Sequence, residues 1–157
     1  MWGDMAWKDN HKHCAALVSA ELVLYMKTLR EIVVFNCSAE DLWERLSDVA
    51  RCDWVPTIDK IALDGDCRIF EMEGMGQITE KILLSDDQTM TLEYSAIDTP
   101  SPMQHHLAIM KVSVIDNQSS SLEWKTEIDP EILADRVHQG MLISIEGLKN
   151  VLSNNGG

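Results

Sequence analysis

Glu80 is the residue of this sequence best placed to do chemistry. It lies in the run Gln77–Ser85, QITEKILLS, whose alternation suits a β-strand. Ile78, Glu80, Ile82 and Leu84 share one face, and Thr79, Lys81 and Leu83 share the other. The first face is the more apolar and should turn inward, which sets a carboxylate among aliphatic side chains. Such a carboxylate must find a partner or take up a proton. It can then anchor a ligand, act as acid or base, or close a structural ion pair with Arg68. His105 and His106 are neighbours on the run Gln104–Ile115, so they point to opposite faces and cannot share a metal there. His106 falls with Ala108, Met110, Val112 and Val114 on the inward face. It serves there as a hydrogen-bonded core residue or as the acid/base partner of Glu80.

The same parity gathers an apolar lining around these two groups. Phe70 and Met72 face inward with Arg68 on Cys67–Glu73. Met90, Leu92, Tyr94 and Ala96 do so on Thr89–Ile97, and Leu122, Trp124, Thr126 and Ile128 on Ser120–Ile128. Tyr94 offers an apolar body with a polar tip. Methionines at Met72, Met90, Met110 and Met141 suit an adaptable pocket as well as a plain core. The candidate ligand contacts are therefore Trp54, Phe70, Met72, Glu80, Tyr94, His106, Met110, Trp124 and Met141. Glu80 and His106 are the candidate catalytic pair. His138, beside Val137, is expected to be exposed.

Other chemistry is missing from the sequence. There is no G-x-S-x-G, G-x-G-x-x-G or Walker loop. Gly74-Met-Gly76 separates two strands and opens no helix, so it lacks the geometry of a phosphate site. Cys14, Cys37, Cys52 and Cys67 have no C-x-x-C spacing. His11-Lys12-His13-Cys14 would need further ligands elsewhere, and none is evident. No metal and no cofactor is expected.

The elements that must position these residues follow in order. Thr28–Cys37 is rich in β-branched residues and reads as a strand. Ser38 caps a short helix over Ala39–Leu46, with Asp41 three residues on and Leu42, Trp43 and Leu46 on one face. Asp48–Asp53 reads as a second helical turn that Pro56 stops. Strands follow at Thr57–Leu63, Cys67–Glu73, Gln77–Ser85, Thr89–Ile97, Gln104–Ile115 and Ser120–Ile128. Turn signals such as Asp64-Gly65 separate them, which predicts an antiparallel meander. Glu131–Leu152 closes the chain as an amphipathic helix with Leu133, Val137, Met141, Ser144, Leu148 and Leu152 along one stripe. Seven strands and one long helix predict an α+β domain in which a curved antiparallel sheet wraps the C-terminal helix. The gap between them is the expected pocket.

Composition bounds the partners. The chain has 157 residues with 45% hydrophobic and 25% charged, suited to one globular domain. Its formal net charge of −13 repels phosphate backbones and anionic lipid, so nucleic acid and membrane are not expected partners. Unpaired cysteines suggest a reducing, cytoplasmic setting. Cys14–Tyr25 is apolar but broken by Glu21 and too short for the ~20 residues of a membrane span. Asp4 and Asp9 speak against a signal peptide. Residues 1–25 are therefore read as an N-terminal extension with a short helix, 26–153 as the ligand-binding domain and 154–157 as a tail.

Three segments carry a family likeness. They are Cys37-Ser-Ala-Glu-Asp-Leu-Trp43 with Trp54-Val-Pro56, then Thr79-Glu-Lys-Ile-Leu-Leu-Ser-Asp-Asp87, then Ile145-Glu-Gly-Leu-Lys149. In that order the chain from Met26 to about Ser153 resembles the START/SRPBCC superfamily, polyketide cyclase/dehydrase-like proteins among them. The resemblance implies a helix-grip fold, with two short helices after the first strand and a pocket lined in part by the glutamate at position 80. The gate loops of the family's hormone receptors have no match in Asp64-Gly65-Asp66 or Thr99-Pro-Ser-Pro102. The leading expectation is a monomer or homodimer that binds a small apolar or aromatic metabolite or lipid. One alternative is a cyclase or dehydratase using Glu80 and His106. The other is a protein-interaction module with a filled core.

Overall fold

The alternating runs become seven strands in the computed structural model, which describes residues 26–155. The N-terminal extension and its His11–Cys14 tract lie outside the described residues. The strands are β1 (Lys27–Phe35), β2 (Ala62–Asp64), β3 (Cys67–Met72), β4 (Gly76–Asp86), β5 (Thr91–Asp98), β6 (His105–Asp116) and β7 (Ser119–Asp129). They form one curved antiparallel sheet in the order β1-β7-β6-β5-β4-β3-β2. β2 to β7 are the expected meander, and β1 joins it by pairing with β7 from Lys27–Ile128 to Phe35–Ser120. Helix α1 (Ala39–Ser47) follows β1. Helix α2 (Ala134–Asn155) follows β7 through a 3-10 turn at Glu131–Leu133 and continues past the expected domain boundary into the tail.

Local chemistry explains the punctuation. Gly65 takes φ +60° in the β2–β3 turn, a backbone region glycine enters without a Cβ clash. Asp86 and Asp116 each accept a hydrogen bond from the backbone N–H two residues on, at 2.9 and 2.8 Å. These bonds close the β4–β5 and β6–β7 hairpins and hold both carboxyls below their usual range. Ser38 Oγ accepts from Asp41 N at 3.1 Å, the cap read from sequence. α1 packs on β6 and β7 and buries Leu42, Trp43 and Leu46.

The structure corrects several expectations. Asp48–Asp53 forms no second helix. The chain descends through separate turns, Arg51 N to Asp48 O and Val55 N to Cys52 O, both 3.0 Å. A run with no apolar stripe has nothing to hold a continuous helix against the core. The predicted strand Thr57–Leu63 reduces to an Ile58–Met72 bridge and the short edge strand β2. Met90 stands outside β5 with φ +50°. Leu84 is exposed because the β4–β5 register shifts between Ile82 and Leu84, which breaks the parity. Val114 is exposed where β6 runs past the core. His138 is half-buried, its Nε2 2.7 Å from Glu31 Oε1, which ties α2 to the edge strand β1.

Candidate functional site

A cavity of about 120 Å³ lies between the inward face of the sheet and α2. Its aliphatic and aromatic wall includes Ile58, Phe70, Met72, Tyr94, Trp124 and Met141. Alternation on β3 to β7 supplies one part of this wall, connecting segments add Val55, Ile58, Ile61, Met75 and Met103, and α2 closes it with Val137, Met141 and Ser144. Gly140 also faces it, and a side-chain carbon there would meet nothing within 4 Å. The missing side chain leaves part of the volume open.

Trp54 reaches the wall through a close approach. A Cβ built on Gly147 would lie 2.1 Å from the Trp54 carbonyl oxygen, so only glycine lets α2 pack on this loop. Thus Gly147, within the sequence segment Ile145–Lys149, positions a cavity residue nearly a hundred positions upstream.

Glu80 faces the cavity and also makes the ion pair. It stands opposite Arg68 in the β3–β4 register, and Arg68 Nε donates to Glu80 Oε2 at 2.6 Å. Both side chains are only 12% exposed, so the two charges neutralise each other away from water. Arg68 also donates to the Val49 carbonyl at 3.4 Å and lies 4.6 Å from the Tyr94 ring centroid. Burial opposes its charge, but Glu80 and Tyr94 outweigh that and raise its pKa. Burial, then the Glu80 charge, pushes the Tyr94 phenol well above its ordinary range, which keeps it protonated.

His106 sits where β5 and β6 part. Their paired register ends at Tyr94–Ala108, and the freed Ala96 N–H donates to His106 Nδ1 at 2.9 Å. A ring nitrogen that accepts cannot carry the proton, so the neutral ring holds its hydrogen on Nε2. Burial lowers the pKa, Glu80 opposes that and His105 adds to it. The ring is thus a hydrogen-bond donor on the cavity wall, 6.1 Å from the Tyr94 ring.

Two further donors are unsatisfied. The indole N–H groups of Trp54 and Trp124 are buried and have no hydrogen-bond partner among the described residues. Trp124 is near enough to Tyr94 to moderate its pKa rise, yet no acceptor meets its N–H with good geometry. Arg51 and Arg136 also line the cavity. Asp53 holds Arg51 at 2.8 and 3.0 Å, whereas Arg136 has no carboxylate within ion-pair distance among the described residues.

The site therefore brings together Trp54, Phe70, Met72, Glu80, Tyr94, His106, Trp124 and Met141. Met110 is not on the wall. It is 1% exposed in the core, on the β6 stretch paired with Leu92 and Trp124. Sequence parity missed Arg51 and Arg136, since one lies in an irregular segment and the other beside the helix's apolar stripe. A larger concavity of about 980 Å³, lined by residues such as Asn36, Asp41, Glu44, Arg45 and Asp116, is a polar surface groove holding none of the inward residues. Among the described residues, no three His, Cys, Asp or Glu side chains converge as a metal site requires. No described helix is long and apolar enough to cross a membrane.

The family model for polyketide cyclase / dehydrase and lipid transport matches residues 26–149. No curated protein matches the chain in sequence. Among solved structures it is similar to XoxI from Bacillus cereus, with 19% identity over 83% of this chain and 98% of that one and a TM-score of 0.75. It is similar to the Zhui aromatase/cyclase from Streptomyces sp. R1128, with 14% identity over 84% and 96% and a TM-score of 0.71. It is also similar to norcoclaurine synthase from Thalictrum flavum, solved with dopamine and hydroxybenzaldehyde, with 16% identity over 82% and 87% and a TM-score of 0.65. At these identities the likeness shows the fold.

Proposed function

As the chain belongs to the polyketide cyclase / dehydrase and lipid transport family, we propose that it binds a small apolar or aromatic molecule in the cavity between sheet and α2, without transforming it. The observation that carries this reading is the cavity wall itself, to which β3, β4, β5 and β7 each bring an aromatic or aliphatic side chain. Removing a ligand's apolar surface from water would drive affinity, at roughly 25 cal/mol per Å² before the costs of ordering. Size narrows the choice. An apolar hole of ~150 Å³ accommodates benzene, so about 120 Å³ suits one ring better than a lipid chain or a fused polyketide.

The cyclase-like alternative needs a free acid/base group. Glu80 is engaged by Arg68 and His106 Nδ1 by a backbone donor, which favours binding over turnover. An open cavity likewise weighs against a filled interaction module.

Calorimetric titration with toluene tests the binding reading. Toluene should bind the wild type, and Ala96→Trp, which fills the cavity, should abolish the heat. Equal binding by the wild type and a folded Ala96→Trp variant would place the ligand elsewhere and sink the assignment.

A further inference from the structure

The polar groups of the cavity wall include indole, imidazole and guanidinium donors, beside the Glu80 carboxylate and the hydroxyls of Tyr94, Thr99, Thr126 and Ser144. The indole N–H groups of Trp54 and Trp124 are buried and lack a well-aligned acceptor among the described residues, with Tyr94 beside Trp124, and His106 holds its proton on Nε2. A buried donor left unpaired loses its hydration without compensation, so native proteins seldom keep two beside one cavity without use for them. The charges point the same way. In a chain of net charge −13, the lining holds three arginines, Arg51, Arg68 and Arg136, and one carboxylate, Glu80. Arg68 cancels Glu80, Asp53 engages Arg51, and Arg136 at the exposed end of the wall keeps an unopposed charge among the described residues.

We propose that the cavity selects a single-ring aromatic acid, whose ring packs among the aromatic side chains and whose carboxylate accepts from the orphan indole donors with Arg136 as counter-charge. This rests on the binding reading above and adds the polarity of the ligand. A carboxylate offers about four acceptor positions on two oxygens and no donor, which complements the indole and guanidinium donors of the lining. It tolerates transfer from water only when hydrogen-bonded and charge-paired. A neutral apolar ring of the same size would leave both indoles unpaired.

The test compares benzoate with toluene, which matches it in shape but lacks the acceptors, by calorimetry at pH 7.5. Benzoate should bind at least tenfold more tightly. Trp54→Phe and Trp124→Phe keep an aromatic ring and delete the N–H. Each should reduce the benzoate-to-toluene affinity ratio by about tenfold, the scale of one hydrogen bond to a charged group. Arg136→Gln, on an exposed helix position that does not endanger folding, should also reduce the ratio. Toluene binding as tightly as benzoate, with both excluded by Ala96→Trp, would overturn the acid preference and leave the binding reading intact. Failure of both ligands would overturn both. A ratio unchanged in Arg136→Gln and in whichever tryptophan variants fold would show that the carboxylate does not use these donors, and would likewise overturn the proposal.

Discussion

His106 shows how one backbone contact sets the chemistry of a residue. Its Nδ1 accepts the Ala96 N–H, so protonation would turn the acceptor into a second donor facing a donor. Burial adds to that penalty, and the folded-state pKa lies below the ordinary histidine value of about 6.5. The sign follows from proton counting. Below about pH 6.5 the unfolded chain binds a proton that the folded chain refuses, so stability is complete above that pH and declines as pH falls toward the folded value. Asp53, Asp86 and Asp116, whose pKa values are also lowered, act in the separate window of carboxylate titration. Urea unfolding at pH 7, 6 and 5 should show wild-type stability falling, with a shallower fall in His106→Asn. Parallel slopes for the two proteins would remove His106 from this account. Glu80 was legible as an inward carboxylate from strand parity alone. That Arg68 holds it was one of three open readings, decided by the β3–β4 register.

At the scale of elements, two glycines of α2 divide the work. Gly147 lets the helix touch the Trp54 carbonyl, and Gly140 leaves space in the cavity. The same substitution should therefore have opposite effects. Gly147→Ala must force helix and loop apart, at about 1–3 kcal/mol for overpacking. Gly140→Ala enters open space and gains about 1 kcal/mol of helix propensity, while narrowing the cavity. Urea midpoints measure both, and equal stability of the two variants would contradict the assigned contacts. Strand and helix spacing revealed most of the elements, since period-2 and period-3.6 patterns are local. The bulges that turn Leu84 outward and the turns that replace the second short helix were not legible, because both depend on how neighbouring segments pair.

For the whole molecule, an acidic exterior surrounds a cavity whose lining leans positive. Binding to the folded state alone stabilises it by mass action, about 2.7 kcal/mol when ligand stands at a hundred times its Kd. For a domain of this size that amounts to a rise in Tm of about 5–10 °C. Benzoate should produce that rise in the wild type and none in Ala96→Trp, as read by differential scanning fluorimetry; an equal rise in both would mean that binding lies outside the cavity. The sequence by itself determined the element order, the seven strands, the long amphipathic helix and the inward placing of Glu80, Tyr94, His106 and Trp124, because these follow from periodicity and turn chemistry along the chain. Only the tertiary structure decided that Glu80 is paired, that His106 is a donor, that Met110 is core, and that Arg136 joins Trp54 and Trp124 on one cavity. Those outcomes depend on which distant segments meet, on the register at which they pair, and on which polar atoms the packing leaves without a partner.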